Sequence, residues 1–185
     1  MENLYFNIND LRHVGENVVI GKSVRIRHPE LVSIGDNSII DDFTYISTAL
    51  DMGRYCHIGP GCMIIGSPKG KLVMDDITGC APNCSLITSS DDYISGIAGP
   101  NIPEEFRGKI TYGLIHLKQY CALGTNTIVH PNVTVEEGVA TASLTVVKRS
   151  LEAWTVYGGD PAQALAPRNR KSVERLGERF KNEYL

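Results

Sequence analysis

Leu117-Lys118-Gln119-Tyr120-Cys121-Ala122-Leu123-Gly124-Thr125-Asn126-Thr127-Ile128-Val129-His130-Pro131-Asn132-Val133-Thr134-Val135 decides the fold. Leu117, Leu123, Val129 and Val135 recur every six residues; Thr141 interrupts and Val147 resumes. Four residues after each come Cys121, Thr127, Val133, Val139 and Thr145, all small or β-branched. Neither a helix, with its period of about 3.6, nor an alternating strand, with its period of about 2, gives this spacing. A short strand plus a turn does, stacked coil on coil so that like positions point inward. Three units close a triangular coil of about eighteen residues, its strands bonded to the coils above and below at ~4.8 Å.

Working outward, the same period runs through Val14-Gly15, Ile20-Gly21 and Ile26, slips at His28-Pro29-Glu30-Leu31, and restarts at Ile34-Gly35. It continues through Ile40, Ile46, Met52-Gly53, Ile58-Gly59 and Ile64. Glycine after the aliphatic residue implies a corner needing either positive φ or a close backbone approach. Residues 66–76 hold Gly and Pro and are expected to distort one corner, with strands resuming near Ile77 and at Ser85 to Thr88. Ser89 to Gly113 is far too long for a corner and reads as an excursion. Val173, Leu176 and Phe180 have helical spacing among charges, with Gly177 as a weak point. The expected organisation is an N-terminal cap over 1–13, a β-helix domain over 14–167 with its loop at 89–113, and a C-terminal helix over 168–185.

The 185 residues are 42% hydrophobic and 7% aromatic, enough for one core and suited to a narrow prism. A net charge of -3 gives no basic balance for nucleic acid or an anionic membrane. No apolar run approaches the ~18 residues of a membrane span, and no signal peptide opens the chain, so a cytoplasmic location is expected. Of five cysteines, Cys56, Cys62 and Cys121 take the small inward position, and Cys80 and Cys84 lack metal-ligand spacing. All five read as buried thiols.

With the hexads, the long loop and Val156-Tyr157-Gly158-Gly159-Asp160-Pro161-Ala162 in place, the chain resembles the hexapeptide-repeat acyltransferases. The resemblance covers about residues 14–168 and implies an all-β, left-handed parallel β-helix. Ile40-Asp41-Asp42-Phe43, His57-Ile58 and Ser90-Asp91-Asp92-Tyr93 with Ser95-Gly96 resemble the branch that acetylates sugars of bacterial surface glycans. Acceptors of the dTDP-4-amino-4,6-dideoxyglucose type are then implied. The resemblance also implies a homotrimer with acetyl-CoA in the groove between prisms, against Gly124, Ala142 and Ser143, with Lys148 and Arg168 near its phosphates. Read without the resemblance, those two cations are solvated surface charges.

Many sugar O-acetyltransferases of this family carry a loop histidine as general base, but this chain reads Leu86-Ile87-Thr88-Ser89-Ser90-Asp91-Asp92 there. A hydroxyl needs a base to attack a thioester, whereas an amine offers a free lone pair. The missing histidine therefore favours N-acetylation over O-acetylation. The remaining catalytic candidates are His57, expected at an outward corner, and Asp91 and Asp92 in the loop. Asp41, Asp42, Ser90 and Tyr93 are candidates for binding the sugar. The plainer readings are a hydrogen-bonded corner histidine and Ser-Asp turn chemistry. His116 and His130 read as structural. No metal is expected, since the histidines show none of the spacing of a trimeric zinc carbonic anhydrase. A non-catalytic β-helix scaffold is the other alternative.

Overall fold

The computed structural model describes residues 3–184; Met1 and Glu2 of the expected cap and Leu185 of the expected helix lie outside the described residues. Three faces, parallel but for the last strand of the second, form a triangular β-helix, consistent with the left-handed coil that the resemblance implies. The first face holds six strands, from His13–Val14 to Val133–Val135. The second holds eight, from Val19–Ile20 to Gln163–Pro167, and the third six, from Arg25–Ile26 to Val146–Val147. Below, the first edge joins the first face to the second, the second edge joins second to third, and the third edge returns to the first.

Inward positions repeat as the hexads demand. Ile34, Leu50, Leu72, Ile115, Leu117 and Val135 fill the first face, Ile40 and Ile58 the second, and Ile46, Ile64, Leu86, Val129 and Val147 the third, all fully buried. Thr141 takes an aliphatic place because its hydroxyl is satisfied there: it accepts from Gly124 N at 2.9 Å and lies 2.9 Å from the Thr127 hydroxyl. The five cysteines are free and buried.

The glycines that follow the aliphatic residues serve close approach. A Cβ on Gly35 would lie 2.7 Å from the Gly53 carbonyl, and one on Gly124 2.6 Å from the Thr141 oxygen. Positive φ falls three residues after the last residue of the preceding strand, at Asn17, Asn37, Asn83, Asn126 and Asn132, but also at Phe43, Tyr55, Ile77, Tyr120 and Leu144; Trp154 has it too. Asparagine tolerates that region; bulky residues adopt it at a cost.

One segment differs from expectation. Lys71–Met74 is a regular strand of the first face, paired on both sides, and Ile77 is a corner residue. The insertion Gly66–Gly70 displaces the phase, so Leu72 and Met74 take the inward places. The long excursion leaves the third edge, its stem an antiparallel pair of Ser89–Ser90 with Thr111–Tyr112.

Both ends of the prism are covered. The Asn3 side-chain amide donates to the carbonyls of Gly21 (3.1 Å) and Val24 (2.9 Å). At the far end Thr155–Gly158 pairs antiparallel with Gln163–Pro167. The helix Arg170–Tyr184 then runs back along the first edge. Its Phe180 ring stands edge-on to Tyr55 at 4.8 Å, and Gly177 is its buried residue, against the Tyr120 ring.

Candidate active site

His57 opens the two-residue strand His57–Ile58 on the second face, and is not at the expected corner. Strand alternation turns Ile58 inward and the imidazole outward. Its Nε2 is 2.8 Å from Oδ2 of Asp41, which sits on the second edge one coil earlier, and both side chains are about half-exposed. Asp42 turns instead to the preceding coil. It accepts from Ser23 N at 2.8 Å and from Ser23 Oγ at 2.6 Å, bonds that hold its carboxyl below the ordinary value.

Beyond His57, Gly79, Ala122 and Ala140 follow in register, leaving a lane almost without side chains. Its outer wall is the C-terminal helix, through Val173, Leu176 and Phe180. The helix, the first edge, and Gly79 and Ala122 of the second face border a largely apolar groove of about 560 Å³, whose lining does not include His57. Cys121 borders it, but burial pushes that thiol up to about 12, which removes it as a nucleophile at neutral pH.

The loop acids are elsewhere. Asp91 accepts from Arg107 Nε at 3.1 Å, from Arg107 Nη2, and from Gly99 N at 2.8 Å. Asp92 accepts from Ile94 N and Ser95 N, both at 2.9 Å. These bonds lower both carboxyls and make the pair the fasteners of the loop. Ser90 Oγ donates to the Asp91 carbonyl at 3.3 Å, while Tyr93 is 78% exposed. Within one chain the third face separates this loop from His57.

The expected cofactor residues occupy three edges. Gly124, Ala142 and Ser143 lie on the second edge, after the strands Ala122–Leu123 and Ala140–Thr141. Lys148 follows the third-face strand Val146–Val147 and pairs with Asp160 at 2.9 Å. Arg168 is engaged at the first edge, where Nη1 donates to the carbonyls of Tyr120 (2.6 Å) and Gly138 (3.0 Å). Sequence reading missed two features. Arg107 is the partner of Asp91, a long-range pairing with no local signal. His116 Nε2 stands 2.8 Å from Asp75 Oδ1, a second imidazole–carboxylate pair, on the first face. Among the described residues no group of three or more His, Cys, Asp or Glu is placed to hold a metal ion, and no helix is long and apolar enough to cross a membrane.

Chemically, the second face offers an imidazole oriented by a carboxylate at the head of a smooth, apolar lane. Such a pair can accept a proton from a nucleophile beside an extended ligand. No family model matches the chain. A dTDP-4-amino-4,6-dideoxy-D-glucose acyltransferase of Escherichia coli is 36% identical over 168 residues, covering 88% of this chain and 85% of the relative. The chain belongs to the hexapeptide-repeat sugar acyltransferases. Among solved members of this family, AntD, an N-acyltransferase from Bacillus cereus in complex with dTDP and 3-hydroxybutyryl-CoA, has a TM-score of 0.89 at 31% identity. That match covers 99% of this acyltransferase and 100% of AntD. A maltose O-acetyltransferase from Clostridium difficile 630 shares the fold, with a TM-score of 0.61 at 16% identity over 88% of this chain and 73% of that one.

Proposed function

We propose that the chain transfers the acyl group of a CoA thioester, acetyl-CoA being the simplest, to the amino group of a nucleotide-linked deoxyamino sugar such as dTDP-4-amino-4,6-dideoxyglucose. The reading rests on the identity to the Escherichia coli enzyme that bears this sugar in its name. It agrees with the loop, where no histidine stands between Leu86 and Asp92 to activate a hydroxyl. The product would enter surface-glycan synthesis, and both substrates suit a cytoplasmic enzyme.

In the proposed reaction the sugar amine attacks the thioester carbonyl. A C–N bond forms, the C–S bond breaks, and the amine's proton passes to His57 and then to the departing thiolate, giving free CoA. An ionised carboxylate only accepts, so Asp41 keeps the hydrogen on Nε2 and leaves Nδ1 open to take the proton. A backbone amide beside the lane would hold the oxyanion, an interaction often worth ~3–4 kcal/mol.

The working unit is a homotrimer in this proposal. Phe43 and Leu144 combine positive φ with 75% and 68% exposure on the second edge. Val19 and Ile39 on the second face and Met63 on the third are exposed beside them. Strained, exposed apolar residues on one edge support contact with further copies, where each Å² of apolar surface buried contributes ~25 cal/mol. Packing about that edge sets the second face of one copy opposite the third face of the next. His57 would then meet a neighbour's loop, with Asp91, Asp92 and Tyr93, only in the assembly.

The test is a panel of dTDP- and UDP-linked 3- and 4-amino sugars beside their hydroxyl counterparts, with thiol release from acyl-CoA as readout. Release with amino sugars alone is expected. Release with hydroxyl acceptors alone would assign O-acylation.

A further inference from the structure

The long excursion leaves the prism after Thr88 and returns at Gly113, and these two residues form its neck on the third edge. Gly113 N donates to the Thr88 carbonyl at 2.8 Å, and the Gly113 carbonyl accepts from Lys71 N at 3.1 Å. Beneath the neck runs a directed chain of hydroxyls. Thr88 Oγ1 donates to Thr48 Oγ1 at 2.8 Å, and Thr48 Oγ1 donates onward to the Gly70 carbonyl at 2.7 Å. A threonine has one hydroxyl hydrogen to give, so each bond directs the next. Both residues are buried, so no water replaces a lost bond. We propose that Thr88, acting through Thr48, is a positioning residue for the reaction: it sets the pose of the excursion that carries Asp91, Asp92 and Tyr93. The inference rests on the reading that this loop meets a neighbouring copy's His57 and the amino sugar.

The insertion at 66–70 is shaped to admit the Thr88 hydroxyl. Gly66 and Gly70 lack positive φ, so backbone conformation does not demand glycine at either place. Close approach does. A Cβ on Gly70 would lie 2.5 Å from Thr88 Oγ1 and 2.7 Å from its carbonyl oxygen, and one on Gly66 would also strike Oγ1. The two departures from the hexad count, insertion and excursion, thus join at one threonine. Little else aims the loop. Its stem pairs two residues with two, and so short a hairpin is marginal alone. Asp91 binds Arg107 and Gly99 N, which ties the loop to itself and not to the prism. Lys69 reaches Glu104 at 3.6 Å, but both side chains are exposed and such pairs hold weakly. The loop therefore moves as a body, and the neck sets its direction.

Kinetics and hydrogen exchange test this together. Thr88→Val removes the hydroxyl at nearly constant shape. It should lower kcat/KM for the amino sugar about ten- to hundredfold, the cost of a misplacement near ~1 Å, with Kd for CoA unchanged. Thr88→Ser keeps the hydrogen and should restore the wild-type value. Gly70→Ala crowds the hydroxyl from the other side and should reproduce the loss. Thr44→Val is the matched comparison, because Thr44 is equally buried and donates to the Gly59 carbonyl at 3.2 Å, away from the neck. It should lower Tm as Thr88→Val does and leave kcat/KM near wild type. Amide exchange over 90–111 should quicken in Thr88→Val and not in Thr44→Val. Equal losses of kcat/KM in the two valine variants, or wild-type kcat/KM in Thr88→Val, overturn the proposal. A wild type that acylates no nucleotide sugar, with the exchange difference retained, would instead fault the proposed reaction and leave Thr88 as the residue that poses the loop.

Discussion

His57 Nε2 and Asp41 Oδ2 stand 2.8 Å apart and join the second face of one coil to the second edge of the coil before it. The contact fixes the ring and its tautomer, so the outward nitrogen is the basic one. His57→Ala should lower kcat by about 10²–10⁴-fold, the usual contribution of a general base, with little change in CoA affinity. Asp41→Asn, which removes the orienting carboxylate but keeps the ring, should lower kcat less. His116→Ala, on the first face, is the matched comparison and should leave kcat near wild type. Near-full activity in His57→Asn would remove this residue as the base.

Asp91 and Arg107 fasten the loop, and their side chains are 12% and 19% exposed. Arg107 and then the Gly99 N–H hold the Asp91 carboxyl below its ordinary value of 3.8. The folded loop therefore binds fewer protons than the open one. The fastening is complete above pH 3.8 and is lost as pH falls through the lowered folded value. Pepsin should cut the segment 91–110 faster as pH drops below 3.8, and Asp91→Asn should be cut readily across the whole range. Equal cleavage rates in variant and wild type would show that the pair does not hold the loop.

Leu117, Leu123, Val129 and Val135 announced the faces of the prism because burial in a stacked coil is periodic and local. The same count fails at Gly66–Gly70: once the insertion breaks phase, Lys71–Met74 looks like loop and Ile77 like core. Hydropathy misleads there, since Cys80 fills an aliphatic place while Ile77 turns a corner. The site was legible in its parts more than in its arrangement. His57 and Asp41 were both identifiable, but that they touch follows from the coil length, while the fastening of Asp91 by Arg107 depends on how an irregular loop folds back. Arg168, expected near a phosphate, is occupied by carbonyls that no sequence pattern marks.

Phe43 and Leu144 bear on assembly. Each protrudes from the second edge, so replacing it removes little packing within the chain. Phe43→Glu and Leu144→Glu should keep the monomer's fold and shift sedimentation equilibrium from trimer toward monomer at micromolar concentration. Activity should fall with the trimer, because His57 and the neighbour's loop would part. A wild-type protein that sediments as a fully active monomer would refute both the assembly and the shared site.

Gly177 and Tyr120 decide how the C-terminal helix docks. Alanine at position 177 would gain ~0.8–1.0 kcal/mol of helix propensity. Its Cβ, however, would fall 2.2 Å from the Tyr120 hydroxyl oxygen and 2.6 Å from Cζ. The Tyr120 ring is only 8% exposed, with Trp154 at 6.2 Å and the Lys181 ammonium at 5.4 Å from its centroid. The Cβ must displace either the ring or the helix, and a helix that lifts loosens Phe180 from Tyr55. Overpacking of this kind costs about 1–3 kcal/mol and exceeds the propensity gain. Gly177→Ala should therefore lower Tm by a few degrees, about 2–4 °C per kcal/mol for a chain this long. In a Tyr120→Leu background the sign should reverse, because the shorter side chain clears the Cβ and leaves propensity to act alone. A Gly177→Ala protein that melts above wild type with Tyr120 intact would show that the helix does not rest on this contact.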